Sequence, residues 1–458
     1  MTSSPPSPAG SPTQPDPTTA RQRVVIEAVT PEVDAGRFPI KRTVGETVVV
    51  EADLFADGHD SLAGVLRHRH MTATAWTESP LTPLVNDRWR GAFTVTQLGR
   101  YAYTVEGWVD PFRTWIKRLA KRLEAKQDVT QEMEIGAHLV EAAAACAGGD
   151  DSARLTALAS ALRSRAAAIP AAVQAELEAL MERYADRSQA TGYKRTLEVV
   201  VEPVRARYGA WYETFPRSTG SAGKPGTFAD LEARLPYISE MGFDVLYLPP
   251  IHPIGRSHRK GRNNSIVATA GDPGSPWAIG SDQGGHKSVN PDLGTLADFR
   301  RLVRVAGEHG LSIALDIAFQ CSADHPYVKE HPEWFRHAPD GSIQYAENPP
   351  KKYEDIVPFD FDTEGWRELW HELLSIVEFW IEQGVRIFRV DNPHTKPFPF
   401  WEWLIGEVKR GHPEVITLAE ALRARRSCTR LPSWDSASRT RTSRGAIRRW
   451  SWRSTSRS

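Results

Sequence analysis

The chain is poor in cysteine, has no long apolar run and carries no net charge. Its three cysteines, Cys146, Cys321 and Cys428, lie far apart in 458 residues, which argues against a disulfide framework or a thiolate metal site and favours a reducing cytoplasm. No segment approaches the roughly 18 consecutive apolar residues of a membrane span. A formal net charge of zero gives no support to nucleic acid or a membrane as a partner. The composition predicts a soluble globular protein, with 40% hydrophobic and 9% aromatic residues.

The N-terminal region divides into a polar segment and a strand-rich segment. Residues 1–20 are rich in Pro, Ser and Thr and bury too little apolar surface to offset chain entropy, so we predict that they are disordered. They also lack the basic and apolar regions of a secretion signal, so we expect none. Over 21–108 short apolar runs such as "ETVVVEADLF" and "RYAYTVEGWV" alternate with Gly, Pro and Asp. This pattern predicts an N-terminal β-sandwich.

The segment 109–198 has helical periodicity. Apolar residues recur at helical spacing in "FRTWIKRLAKRLEAKQ", "ARLTALASALRSRAAAI" and "PAAVQAELEALMERYADR". We predict three amphipathic helices with Ala-rich faces. Such a bundle must pack on another surface, and a second copy of the chain is one candidate.

Strands and helices alternate over 199–422. Apolar strands in "AWYETFP", "FDVLYLPPIHP", "LSIALDIAF", "VRIFRVDN" and "VITLAEAL" are separated by amphipathic helices and by long loops at 253–294 and 320–360. Buried apolar strands in this order are typical of a parallel sheet. The sequence therefore predicts an α/β fold of the (β/α)₈ TIM-barrel type, of which five strands are evident.

Polar residues stand where the predicted strands end. In (β/α)₈ barrels the chemistry takes place at the carboxyl ends of the strands. A single polar residue there is more often a surface charge or a satisfied core ion pair, but polar residues at five successive strand ends favour an active site. These residues are Glu213, His252, Asp316, Gln320, Arg389, Asp391 and Glu420.

Two of these carboxylates, Asp391 and Glu420, follow neighbouring strands. Retaining glycosyl transfer uses one carboxylate as nucleophile and another as acid/base, with the carboxyl groups about 5 to 5.5 Å apart. Arg389 alternates onto the side of Asp391, so we expect its cation to keep Asp391 ionised. Glu420 follows the apolar stretch "VITLA", where burial would raise its pKa toward that of a general acid.

Several strings resemble a known family. "FRVDN", "LAEAL", "LDIAFQCSADHP" and "VNPDLGTLADF" resemble the α-amylase superfamily, glycoside hydrolase family 13. "VLYLPPIHPIGRSHRKGRNN" and "AENPPKKYEDIVPFDF" resemble, within it, a branch of maltosyltransferases that use α-maltose 1-phosphate. The resemblance runs from about residue 21 to 422 and includes the predicted sandwich and helical segment. In that branch the helical segment helps to form a homodimer.

The resemblance implies a reaction and a set of site residues. Asp391 would be the nucleophile that displaces phosphate from α-maltose 1-phosphate, and Glu420 the proton donor that then activates the 4-hydroxyl of an α-1,4-glucan. Arg389 would support the nucleophile. No metal or other cofactor is implied, and the expected location is the cytoplasm. The residues that match donor-binding positions are Lys260, Gln320, Asp355 and Asn392.

Two alternatives stay open at this stage. An α-glucan hydrolase of the α-amylase type would use the same carboxylates without a phosphorylated donor. However, Gln320 and Cys321 replace the Asn-His pair usual in the hydrolases, which favours the transferase. A non-catalytic glucan-binding or assembly module built on the sandwich and helices is the other alternative, and the intact "RVDN" and "LAEA" elements argue against it.

The composition changes after Leu422. Residues 423–458 contain eleven Arg, nine Ser, no Lys and one acidic residue, so they carry about +10 and the remainder about −10. A basic nucleic-acid-binding tail is one hypothesis. We favour another, in which this Arg/Ser-rich text comes from a GC-rich coding sequence translated out of frame. The barrel would then be incomplete, and we expect little or no turnover from this chain.

Overall fold

The structure is a computed structural model that describes residues 21–164, 171–221 and 223–420. The predicted disordered segment 1–20 and the predicted out-of-frame tail 423–458 lie outside the described residues. The described residues form two compact units. The first contains 21–40, 45–95 and 100–199, and the second contains 41–44, 96–99 and 200–420. No helix in the described part of the chain is long and apolar enough to cross a membrane.

Ten strands occur among the described residues between 25 and 202. They are β1 Val25–Thr30, β2 Ile40–Thr43, β3 Thr47–Phe55, β4 Leu62–His70, β5 Thr77–Pro80, β6 Thr82–Pro83, β7 Arg88–Thr94, β8 Gly99–Val109, β9 Thr191–Gly192 and β10 Leu197–Glu202. One sheet has the order β1-β3-β7-β6 and the other β2-β10-β8-β4-β5, with β9 paired to β8. Alternate residues of β3 are buried, so the sheet has one apolar face. A side chain on Gly91 of β7 would begin 3.1 Å from Leu66 Cβ of β4, so the two sheets face each other.

Four α-helices lie between β8 and β9 in the part of the chain that the structure describes, one more than predicted. They are α1 Pro111–Glu124, α2 Thr130–Cys146, α3 Gly149–Arg163 and α4 Ala171–Arg183. Asp110 caps α1 by accepting a hydrogen bond from Arg113 N. Helix α2 was missed because it packs through small residues, Gly136 and Ala137 among them, which give a weak apolar period. The predicted helical segment 109–198 is also corrected at its end, since β9 and the start of β10 lie there.

Between residues 203 and 420 the described residues form six α-helices and nine strands. The helices are α5 Phe228–Glu232, α6 Leu235–Glu240, α7 Leu296–Glu308, α8 Pro326–Glu330, α9 Trp366–Glu382 and α10 Phe398–Gly411. The strands are β11 Trp211–Glu213, β12 Val245–Leu248, β13 Ser312–Ile317, β14 Gln320–Cys321, β15 Ala346–Asn348, β16 Lys351–Tyr353, β17 Val357–Pro358, β18 Ile387–Val390 and β19 Ile416–Ala419.

Five of these strands form a parallel sheet in chain order, β11-β12-β13-β18-β19. The α/β class is thereby confirmed, and the predicted barrel is evident in part, since β11 and β19 each pair on one side only among the described residues. Helices α5, α7, α9 and α10 cover the sheet with a core that includes Phe299, Trp380 and Trp401. Because all five strands run in the same direction, their carboxyl ends meet at one edge of the sheet.

Candidate active site

The ends of β13, β18 and β19 bring three carboxyl groups together. Asp316 of β13 pairs in register with Arg389 of β18, and Val390 with Ala419 of β19. Asp391 and Glu420 are the next residues along the last two strands. Their backbone amides still donate to the neighbouring strands, Asp391 N to Ile317 O at 2.9 Å and Glu420 N to Val390 O at 3.1 Å. The sheet itself therefore sets the separation of these side chains.

Arg389 contacts all three carboxylates. Its Nη1 lies 2.7 Å from Asp316 Oδ2 and 3.0 Å from Asp391 Oδ1, and its Nη2 lies 2.5 Å from Glu420 Oε2. Burial disfavours the cation, but the surrounding carboxylates more than offset this effect and raise the pKa of Arg389. One guanidinium therefore faces three acidic groups, and Asp391 is one of them.

The acidic groups differ in how readily they ionise. Burial raises the pKa of Glu420; attraction to Arg389 opposes this rise, and a hydrogen bond with Asp391 adds to it. Burial also raises the pKa of Asp316 to about 7 against the attraction of Arg389. A raised pKa favours the protonated form of the Glu420 carboxyl group.

The Asp391 carboxylate is held from both sides. Asn392 Nδ2 donates to Asp391 Oδ2 at 3.1 Å, while Arg389 occupies the other oxygen. Asn392 adopts left-handed backbone angles of φ 42° and ψ 52°, which turn the chain out of β18. Trp401 of α10 donates its indole N–H to Pro393 O at 3.0 Å and anchors that turn. The nucleophile candidate is thus fixed by its own strand and by the next helix.

The remaining predicted donor-binding residues lie on the long loops. Lys260 and Asp355 form a buried ion pair, with Nζ 3.8 Å from Oδ1. Burial raises the pKa of Asp355, and Lys260 opposes that rise. Gln320 donates from its amide to Trp277 O at 3.3 Å. This ion pair joins two loops that are distant in sequence, and Asp355 partly balances the charge of Lys260.

His286, Cys321 and His325 form a buried cluster that the sequence did not predict. Its ligand-type atoms lie within 4.8 Å of one another, as in a metal site. However, Tyr327 N donates to His325 Nδ1, so His325 carries its hydrogen on Nε2 and donates to His286 Nδ1 at 3.0 Å. His286 Nε2 then donates to Ala318 O at 3.0 Å. These bonds use every ring nitrogen of both histidines, so the side chains form a hydrogen-bonded chain in place of a preformed metal centre.

His252 and the two histidines of this cluster are buried, and together they predict a loss of stability in mild acid. Burial lowers the pKa values of His252, His286 and His325 to about 3. The pKa of histidine in the unfolded state is about 6.5, so between pH 6.5 and pH 3 the unfolded state binds more protons than the folded state. The free energy of unfolding therefore decreases as pH decreases, by up to about 1.4 kcal/mol per pH unit for each histidine. We expect urea unfolding to show a steep decline from pH 6.5 to 5, and a shallower one in His252→Gln. The exposed His371→Gln should keep the steep decline, and equal slopes in all three proteins would contradict the prediction.

Two further side chains contact or face the carboxylates without having been predicted. Tyr247 of β12 is 8% exposed and donates its hydroxyl hydrogen to Asp316 Oδ2. Lys396 follows β18; burial lowers its pKa to about 8, and Asp391 and Asp316 oppose that change. Lys396 lies five residues after Asp391, and this short spacing is a sequence signal for its position, whereas a single Tyr inside an apolar strand gives no signal.

Comparison with known proteins identifies the family of this chain. Residues 22–203 match the model for domain N/S of α-1,4-glucan:maltose-1-phosphate maltosyltransferase, and residues 210–371 match the α-amylase catalytic domain. A protein of that maltosyltransferase name from Cereibacter sphaeroides is 49% identical over 406 residues, which cover 88% of this chain and 68% of the relative. The chain belongs to this maltosyltransferase family.

Further maltosyltransferase relatives come from Chlorobaculum tepidum, 52% identical over 404 residues, and Myxococcus xanthus, 53% identical over 410 residues. The matches cover 88% and 87% of this chain but 60% and 62% of the relatives. The chain thus spans about three fifths of the length of these maltosyltransferases. Among solved structures, an α-amylase from Lactobacillus plantarum aligns over 47% of this chain and 46% of its own, with 34% identity and a TM-score of 0.41.

Proposed function

We propose that the protein transfers maltosyl units, with retention, from α-maltose 1-phosphate to the non-reducing end of α-1,4-glucans and releases phosphate. Asp391 attacks the anomeric carbon as phosphate leaves, forming a β-maltosyl ester, and Glu420 protonates the departing oxygen. Glu420 then removes the proton of the acceptor 4-hydroxyl, which displaces Asp391 and restores the α linkage. In the first step Asp391 loses its negative charge and Glu420 gains one, and in the second step both changes are reversed.

The observation that carries this proposal is the shared contact of Asp391 and Glu420 with Arg389 at the ends of adjacent parallel strands. Arg389 and Asn392 each donate a hydrogen bond to one oxygen of the Asp391 carboxylate and hold it in place for attack on carbon. Glu420 differs because burial raises its pKa and favours the protonated form. This division of roles between two close carboxyl groups is what retaining glycosyl transfer requires.

The choice of donor and acceptor rests on the family, whose relatives bear names that specify maltose 1-phosphate and an α-1,4-glucan. We propose that Lys260, Gln320, Asp355 and Asn392 bind the donor. The buried pair of Lys260 and Asp355 presents ammonium hydrogens and a carboxylate oxygen, Oδ1, that has no hydrogen-bond partner among the described residues. Such a pair suits sugar hydroxyls, which both donate and accept.

The test measures phosphate release from α-maltose 1-phosphate with and without glycogen, and reducing sugar from starch without the phosphorylated donor. Phosphate release that depends on glycogen, with an α product by NMR, supports the proposal. Reducing sugar from starch alone would overturn it in favour of an α-glucan hydrolase. A non-catalytic binding module would be favoured if Asp391→Ala still retained glycogen and neither the variant nor the unchanged chain showed turnover.

We further propose low turnover for the 458-residue chain. Strands β11 and β19 each pair on one side only in the described part of the chain, and a parallel edge that stays unpaired would admit water to a site that works best when dry. The activity of each variant is therefore compared with that of the unchanged 458-residue chain. We also propose a cytoplasmic homodimer that forms through the helices of 109–198, and a monomeric mass in light scattering would count against the dimer.

A further inference from the structure

The hydroxyl of Tyr247 donates a hydrogen bond to Asp316, one of the three carboxylates that contact Arg389. The side chain is buried in β12, and its ring centroid lies 5.7 Å from Arg389 Cζ. Asp316 Oδ2 accepts from both the Tyr247 hydroxyl and Arg389 Nη1, whereas Asp316 Oδ1 is buried without a hydrogen-bond partner in the described part of the chain. The ionised form of Asp316 thus depends on two donors to one oxygen.

The cation at this position is shared unequally. Arg389 Nη1 serves Asp316 and Asp391 together, and Nη2 serves Glu420. If Asp316 took up a proton, its attraction for Nη1 would fall, and the guanidinium would be free to shift toward the other two carboxylates. Closer contact with Glu420 would favour the carboxylate form and weaken it as an acid.

We propose that Tyr247 is a positioning residue: by donating to Asp316 Oδ2, it keeps Asp316 an ionised anchor for Arg389 and so sets how the guanidinium divides its charge between Asp391 and Glu420. This inference rests on the proposed roles of those two carboxylates. The Tyr247 hydroxyl bonds to Asp316 and its ring faces Arg389, so Tyr247 acts on the two carboxylates through these side chains.

The titration of Asp316 reports on this arrangement. Burial raises the pKa of Asp316, and the hydrogen bond from Tyr247 acts in the opposite direction. Removal of the phenolic oxygen should therefore raise that pKa further, so that Asp316 is anionic only at higher pH. The titratable and charged groups around the Asp316–Tyr247 pair are Arg389, Asp391, Glu420, Lys396 and Glu213.

The first arm of the test needs no turnover. Protein carrying ¹³C-labelled aspartate carboxyl groups is titrated by NMR, with the Asp316 signal assigned by its loss in Asp316→Asn. In Tyr247→Phe we expect the Asp316 midpoint to move up by about one pH unit. An unchanged midpoint would overturn the proposal. Tyr212→Phe is the matched control, because the Tyr212 ring lies in the adjacent strand and packs on Phe243 with its centroid 5.2 Å away.

The second arm measures phosphate release across pH 6 to 9. In Tyr247→Phe we expect kcat to fall about tenfold at pH 7, the size of one lost hydrogen bond to a charged group, with KM changed less than about twofold. The loss should shrink at pH 9, where Asp316 ionises again; a loss independent of pH would mean a merely structural role and would overturn the proposal. If the unchanged chain releases phosphate too slowly to measure, the NMR arm alone decides the role of Tyr247, and release of reducing sugar from starch without the phosphorylated donor remains the result that overturns the proposed function.

Discussion

Asp391→Asn is expected to lower phosphate release from α-maltose 1-phosphate by roughly 10⁴-fold or more, since loss of a covalent nucleophile typically has an effect of that size. The amide keeps the shape of the side chain and still accepts from Arg389, so the fold should survive. What disappears is the anion that bonds to the anomeric carbon. KM for the donor should change far less than kcat, because Asp391 is buried at the strand end and is proposed to act on the reacting carbon.

The measurement is single-turnover phosphate release, with donor binding followed separately by calorimetry. Asp340→Asn serves as the matched control, because Asp340 lies in an exposed turn and bonds to Ser342. Its activity should stay within about twofold of the unchanged chain. If Asp391→Asn retained a tenth of the activity, Asp391 could not be the nucleophile and the proposed mechanism would fail.

Arg389→Met is expected to have the largest effect on stability. The substitution leaves Asp316, Asp391 and Glu420 facing one another without their shared cation, and breaking a buried ion pair typically costs about 3 to 5 kcal/mol. The cost should depend on pH. The pKa of Asp316 in the folded protein, about 7, already exceeds the unfolded value of about 3.9, so ionisation opposes folding as pH rises.

Loss of Arg389 removes the attraction that holds this pKa down, so the deficit should be greatest near pH 8 and smaller near pH 5, where the carboxyl groups can protonate. Urea unfolding at the two pH values measures this difference. Arg304→Met is the control, since Arg304 is 62% exposed on α7 and pairs with Glu308 one turn away, a contact worth less than about 0.5 kcal/mol. A deficit equal at both pH values, or below about 1 kcal/mol, would contradict the assigned electrostatics.

The sequence predicted the parts of the fold that long apolar runs determine. Strands β12, β13, β18 and β19 are continuous buried stretches, and helices α7, α9 and α10 have a clear apolar face, so their type and order followed from periodicity. Helix α2 did not, because Ala and Gly carry little hydrophobic contrast even where they are buried. Small residues pack by shape, which a hydropathy pattern does not register.

The same division applies to the candidate site. Asp391, Glu420 and Arg389 were predictable because strand alternation and strand ends place them, and the structure brings them into contact. The pairing of Lys260 with Asp355 was not, since the two stand on separate loops whose approach depends on the whole fold. The chain from His325 through His286 to Ala318 likewise forms between residues distant in sequence, so no local pattern could reveal it.

Asn392 shows how narrowly the residue beside the proposed nucleophile is constrained. Its backbone lies in the left-handed region, where Gly, Asn and Asp are the residues best tolerated, and its side chain must supply a hydrogen to Asp391. Glycine would satisfy the backbone and supply no hydrogen, while aspartate would satisfy the backbone and set a second negative charge against the first. Asparagine meets both requirements at once, so a change at this position is a sensitive way to separate chain geometry from charge.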